Sequence, residues 1–209
     1  MSDNRGRDGG FRGGRKFDSD KTPGFVRSGE KKIWEASQLE RVARHEAGHA
    51  LLCHLAGETP AYLTVVARGK HGGYMQHAHE EGKELYTRSE LLTRIRTALG
   101  GRAAELVCYG EDAGVSTGAG GDLAMATNLA RQLVCSFGMD ANFGLAVISG
   151  PALESAEVRA AVNRILQQQL ELAVEHIRSH RDKLDRLVAA LLERSHLNGS
   201  EISSVMDNT

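Results

Sequence analysis

The sequence predicts a mainly α fold with a small β-sheet, on two observations. Beyond residue 33, apolar side chains recur mostly at helical spacing, and only 61–67 and 74–79 read as strands. The 209 residues are 41% apolar and 25% charged, the composition of one globular domain plus a tail. The tail is residues 1–32, with nine Lys/Arg against five acids and too few large apolar side chains to offset the entropy of ordering. It is expected to be a disordered Gly/Arg-rich leader. Residues 33–207 are expected to form the domain. The net charge of −1 names no partner. No run of 18 apolar residues is present, so no transmembrane segment is expected. No secretory signal is expected either. Three widely spaced cysteines, Cys53, Cys108 and Cys135, suit a reducing compartment, and the expected location is cytoplasmic.

The elements follow in order. Ser37-x-x-Glu40 reads as a capping box that opens a helix, and Gly57 as its stop. Between them Leu39, Val42, Ala43, Ala50, Leu51 and Leu55 form an apolar stripe. The β-branched run 61–67 is a strand, 68–73 a turn, and Tyr74 to His79 a second strand. Thr87-x-x-Glu90 is a second capping box. It opens one helix with Leu91, Ile95, Leu99, Ala103 and Val107 inward, ending at Gly110. A loop of small residues, 114–121, leads to Asp122, which opens a helix stopped by Gly138. Two long helices are expected at about 154–179 and 181–195, and Asn198-Gly199-Ser200 caps a short last one.

The chemistry concentrates in His45-Glu46-Ala47-Gly48-His49, an H-E-x-x-H motif inside the first long helix. Positions i and i+4 lie one turn apart on one face, so two imidazoles there can hold one metal ion. The glutamate between them can take a proton from an attacking water and later pass one to a leaving amine. Gly48 weakens its helix by about 1 kcal/mol relative to alanine. Such a residue needs a packing reason, and close approach of another backbone supplies one. Zinc needs a third protein ligand. Two acids qualify, Glu105 within a helix and Asp122 at a helix start, and residue chemistry prefers Asp122 only slightly.

Five motifs carry a family resemblance. His45-Glu-Ala-Gly-His-Ala-Leu51, Leu99-Gly-Gly-Arg-Ala-Ala-Glu105, Ser116-Thr-Gly-Ala-Gly-Gly-Asp122-Leu-Ala-Met-Ala-Thr127, Phe137-Gly-Met139 and His180-Arg-Asp-Lys-Leu184 stand in the order seen in the peptidase domain of FtsH-type ATP-dependent zinc metalloproteases. The resemblance runs from about Glu35 to Met206. It implies a zincin-like helical peptidase domain with H-E-x-x-H on its first long helix, and a metalloendopeptidase acting on unfolded or extended polypeptides. It implies Zn²⁺ held by His45, His49 and Asp122, with Glu46 as the catalytic base and Glu105 as a supporting residue behind the ligands. It implies that Tyr74, Met75, Gln76 and His77 form an edge strand that pairs with substrate. An AAA+ ATPase acting in trans and a ring-like homo-oligomer are the partners it implies.

The departures from the family pattern define the alternative. No G-x-x-x-x-G-K-[ST] phosphate loop occurs, so unfolding of substrates by this chain alone is not expected. The alternative is an adaptor, or the proteolytic half of a split enzyme, docked on a separate ATPase. The edge-strand sequence His71-Gly-Gly-Tyr-Met-Gln-His77 is more polar than is usual in the family, and Gly121 stands where asparagine is common. Other readings are bland. His71, His77 and His79 lack an acid or cysteine to complete a second metal site. His176 and His180 are structural, Cys53 is small core packing, and Glu171 and Glu175 lie on a solvated face. The Gly/Arg tail is a flexible leader rather than a nucleic-acid-binding element.

Overall fold

The structure, a computed structural model, describes residues 35–67, 72–77 and 85–207. The first 34 residues, residues 68–71 of the expected 68–73 turn, and His79 at the expected end of the second strand lie outside that set. Helix α1 is Ala36–Leu55. From His45 to Cys53 every one of its residues is buried, so this stretch of α1 is sheathed on all sides rather than on one stripe. The Ser37/Glu40 capping box does not form: Glu35 is the N-cap residue and no side chain caps it. Glu40 is engaged elsewhere, accepting from Arg44 Nη2 at 2.9 Å, and Arg44 also reaches Asp185. Gly57 ends the helix as expected, with φ +80°.

The single helix expected between Thr87 and Gly110 is two, α2 (Arg88–Ala98) and α3 (Gly100–Gly114). Its capping box is formed, with Glu90 N–H donating to Thr87 Oγ1 at 3.3 Å and Thr87 N–H to Glu90 Oε2 at 2.7 Å. Leu99, at φ −85° and ψ 0°, is the joint between the two helices. The apolar pattern runs through this bend, which is why spacing alone reads one helix. Gly110 kinks α3 at φ +77° instead of ending it. The bend lets α3 lie on α1 backbone to backbone. A Cβ on Gly48 would strike the Gly100 carbonyl oxygen, and one on Gly100 would come 2.8 Å from the Gly48 oxygen. Gly48 therefore has the packing reason its helix cost demands.

Strands β1 (Pro60–Thr64), β2 (Tyr74–His77) and β3 (His196–Asn198) form an antiparallel sheet in the order β2-β1-β3. Leu63 at its centre opposes Met75 on one side and Leu197 on the other. β1 is shorter than the expected 61–67. β3 is three residues long, too short to leave a period, and was not expected. Helices α4 (Gly120–Cys135), α5 (Ala156–Ser179), α6 (Arg181–Arg194) and α7 (Gly199–Asp207) complete the described fold. Asn198 Oδ1 accepts from Glu201 N–H at 3.0 Å and opens α7.

The apolar side chains gather into two cores. One joins α1, α3, α6, α7 and the sheet around Leu51, Leu63, Leu187, Leu191 and Ile202. The other joins α2, α4 and the first half of α5 around Ile95, Leu99, Leu133 and Ile165. Leu170 of α5 packs against both. The functional residues collect where the two cores meet.

Candidate metal centre

α1 presents His45 and His49 from the first core, 8% and 6% exposed. Their Nε2 atoms lie 3.2 Å apart. The other nitrogen of each ring is held from behind. His49 Nδ1 donates to the Thr97 carbonyl at 2.8 Å, and His45 Nδ1 donates to Glu105 Oε1 at 3.2 Å. A nitrogen that donates to a carbonyl or a carboxylate carries the proton of a neutral imidazole. Both Nε2 lone pairs then face the same point. Asp122 Oδ2 arrives there from α4, in the second core, 3.1 Å from His45 Nε2 and 3.4 Å from His49 Nε2.

Three lone-pair donors facing one another repel unless a proton or a cation lies among them. Zinc bonds of about 2.0–2.1 Å at tetrahedral angles would put the donors about 3.3 Å apart. The observed separations of 3.1, 3.2 and 3.4 Å match that triangle. Two nitrogens and one carboxylate oxygen are also a donor set zinc takes. The residues fit the metal.

The titration of the metal-free site makes the same point. Burial would lower the His45 pKa, yet Asp122, Glu105 and Glu46 together outweigh it and raise it to about 9. Burial would raise Asp122, yet the two histidines hold it well below the usual carboxylate range. Burial would raise Glu105 too, and His45 and Ser116 bring it down to about 2. The site attracts positive charge.

Glu46 is 8% exposed on the same turn of α1. Gly73, the residue before β2, lies against it: a Cβ there would come 3.0 Å from Glu46 Cγ and 2.6 Å from the Thr64 carbonyl oxygen. β2 thus sets out beside Glu46, and among the described residues it is an edge strand paired only with β1. Met75 packs on the first core, Gln76 is exposed, and the Tyr74 ring lies 5.8 Å from that of Tyr62. His77 opposes Pro60.

Glu105, only 1% exposed, also accepts from Ser116, at 2.6 Å from the hydroxyl and 3.0 Å from the amide. Arg102 Nη2 donates to the Ser116 carbonyl at 3.2 Å. Gly101 is glycine for a plain reason: its Cβ would occupy the His45 ring. Two partners escaped the sequence reading. The Thr97 carbonyl is a backbone group in the last turn of α2, which ends at the next residue, Ala98. Ser116 stood inside a quoted motif with no signal of what it touches. Of the rival residues, His180 Nδ1 donates to the His176 carbonyl at 2.9 Å, a helix-end role. Cys53 is fully buried, and burial with Glu58 nearby pushes its thiol up to about 12. His71 and His79 lie outside the described residues.

A family model described as peptidase family M41 matches residues 32–205. The "ATP-dependent zinc metalloprotease FtsH 2" of Symbiobacterium thermophilum is 40% identical over 180 residues, 81% of this chain and 30% of its own length. The "ATP-dependent zinc metalloprotease FtsH 3" of Sphaerobacter thermophilus is 37% identical over 82% of this chain and 36% of its own length. The "ATP-dependent zinc metalloprotease FtsH" of Thermotoga maritima is 34% identical over 85% of this chain and 32% of its own length. The chain spans about a third of the length of these curated relatives. No helix among the described residues is long and apolar enough to cross a membrane. Since the family match takes in α1 to α6 whole and most of α7, this chain belongs to peptidase family M41.

Proposed function

We propose that this chain is a zinc-dependent metalloendopeptidase that hydrolyses peptide bonds in unfolded or extended polypeptides. The observation that carries the proposal is the convergence of His45 Nε2, His49 Nε2 and Asp122 Oδ2 at zinc-ligand spacing, with both imidazoles held from behind. Zinc, when bound, supplies a Lewis acid for the scissile carbonyl and lowers the pKa of a water. Glu46 takes the proton from the attacking water on its carboxylate and returns it to the leaving amine nitrogen. Glu105 and the Thr97 carbonyl keep the two ligand rings in one tautomer and one orientation. The open side of β2, with Tyr74, Met75, Gln76 and His77, adds an extended substrate strand beside Glu46 through main-chain hydrogen bonds. Such pairing requires an unfolded segment, and opening a stable domain costs about 5–15 kcal/mol. An AAA+ ATPase in trans, together with a ring-like homo-oligomer, would supply that work; the names of the relatives above include ATP dependence. The intact donor set disfavours a purely non-catalytic adaptor, since docking has no use for converging lone pairs.

Zinc content and cleavage of unfolded casein test the proposal together. The purified chain is expected to hold about one zinc and to cleave casein without ATP, and a chelator should abolish cleavage until zinc is restored. A chain that binds zinc yet cleaves no unfolded protein would reverse the preference in favour of the adaptor.

A further inference from the structure

We infer that Ser116 is a positioning residue that couples the first metal ligand to the third: it pins the Glu105 carboxylate that orients His45, and it anchors the loop that delivers Asp122. The inference rests on the metallopeptidase reading above. Glu105 reaches His45 on a side chain with three rotatable bonds, and its last torsion is broad. One residue removes that freedom. The Ser116 hydroxyl donates to Oε1 at 2.6 Å and its amide to Oε2 at 3.0 Å, so both oxygens are fixed and the carboxylate plane is set. Oε1 is the oxygen that meets His45 Nδ1 at 3.2 Å. Fixing it fixes the ring about its own broad outer torsion, and Nε2 stays turned to Asp122.

The same hydroxyl works in the other direction along the chain. Ser116 Oγ accepts from Gly118 N–H at 3.2 Å and so caps the 3-10 turn Thr117–Ala119. That turn runs directly into Gly120, the first residue of α4, with Ala119 fully buried beneath it. Asp122 follows in the first turn of α4. One hydroxyl thus sits in a continuous chain, from Gly118 N–H through Ser116 to Glu105 and His45. One end is His45, from the first core; the other is the turn that leads through Gly120 into the first turn of α4, where Asp122 stands.

The test uses the purified full chain, stripped of metal and reloaded with zinc, with affinity measured by competition against a chelator. Ser116→Ala is expected to weaken zinc binding by about 10-fold, the low end of the cost of losing a partner behind a ligand, because Ser116 acts through Glu105. Ser116→Thr, which keeps the hydroxyl, should hold wild-type affinity, and so should Thr117→Ala, an exposed neighbour in the same turn. The cobalt-substituted Ser116→Ala protein should show a changed visible spectrum, since the ligand geometry relaxes. In a Glu105→Gln background, Ser116→Ala should cost less than it does alone, because the contact to the carboxylate, one of the two the hydroxyl makes, is already weakened. Ser116→Gly removes the same hydroxyl and replaces Ser116→Ala if that variant does not fold. Wild-type affinity and an unchanged cobalt spectrum in Ser116→Ala would overturn the inference alone. A loss that persists undiminished in the Glu105→Gln background would overturn it too, leaving Ser116 as a turn cap only. A wild-type chain that takes up no zinc would overturn the metallopeptidase reading and this inference with it.

Discussion

His45 and His49 stand on a helix that touches α3 backbone to backbone. Asp122 stands on α4 behind Gly120 and Gly121, whose missing side chains would meet open space. The histidine side chains are 10% and 8% exposed, whereas the Asp122 side chain is 30% exposed. The histidine side is a product of close packing: Gly48, Gly100 and Gly101 each lack a side chain because another group occupies its volume. The aspartate side is held by a short polar loop and one helix turn. Two of the candidate ligands are therefore set by the core, and the third is brought to them by a loop with its own local hydrogen bonds. A site at the seam of two cores needs both kinds of control.

The largest expected effect breaks the packed side. Gly48→Ala would drive a methyl into the Gly100 carbonyl and to 2.7 Å from Ala104 Cβ. The cost should reach about 3 kcal/mol, the upper end of overpacking, seen as a lowered denaturation midpoint of the metal-free protein. A variant as stable as wild type would mean that α1 and α3 are not in backbone contact.

Chemistry and frame should separate on the same helix. Glu46→Gln keeps the shape of the side chain and removes the base. Casein cleavage should fall by about 10²-fold or more while zinc content stays at the wild-type level. Equal activity in both proteins would refute the proposed role of Glu46.

The electrostatic coupling of the two sides sets a pH dependence. His45 is raised from 6.5 to about 9 in the metal-free protein, so its contribution to stability is complete below about 6.5 and lost as pH climbs through about 9. Asp122 and Glu105 are lowered from 3.8 and 4.5, so theirs is present above those values and lost as pH falls. Metal-free stability should peak between about 4.5 and 6.5. Zinc must displace the His45 proton, so its affinity should rise by up to about tenfold per pH unit toward 9. Chelator competition across that range gives the slope, and a flat line would remove His45 from the ligand set.

The smallest effect tests the open side. Gly121→Ala puts a methyl where no atom lies within 4 Å, in a helical position. It should stabilise the protein by about 0.5–1 kcal/mol and leave zinc affinity unchanged. Destabilisation there would show the first turn of α4 to be as crowded as α1.

Much of this was legible in advance because it is local. The H-E-x-x-H spacing alone puts two imidazoles on one helix face, and Thr87 with Glu90 announces a helix start that the structure contains. Local signals failed where a neighbour competed for the same atoms. Ser37 and Glu40 have the letters of a capping box, but Arg44 holds Glu40. The helix from Thr87 onward has an unbroken apolar period, but the chain bends at Leu99, and Gly100 beyond it lies against α1. β3 has only three residues, and its pairing with β1 lies more than a hundred positions away in sequence. The residue types left Glu105 and Asp122 both open as the third ligand; the resemblance chose Asp122, and the structure brings its carboxylate to the two Nε2 atoms.

By itself the sequence determined which groups could do chemistry: two histidines and a glutamate on one helix, and acids of suitable reach elsewhere. Helical periodicity is a one-dimensional property, so their shared face needed no fold. Tertiary structure alone decided which nitrogen of each histidine is left to bind, because the Thr97 carbonyl and the Glu105 carboxylate approach from other helices. It also decided how close α1 and α3 come, and that Ser116 meets Glu105. These are contacts between surfaces remote in sequence, set by the packing of two cores, and no spacing along the chain encodes them.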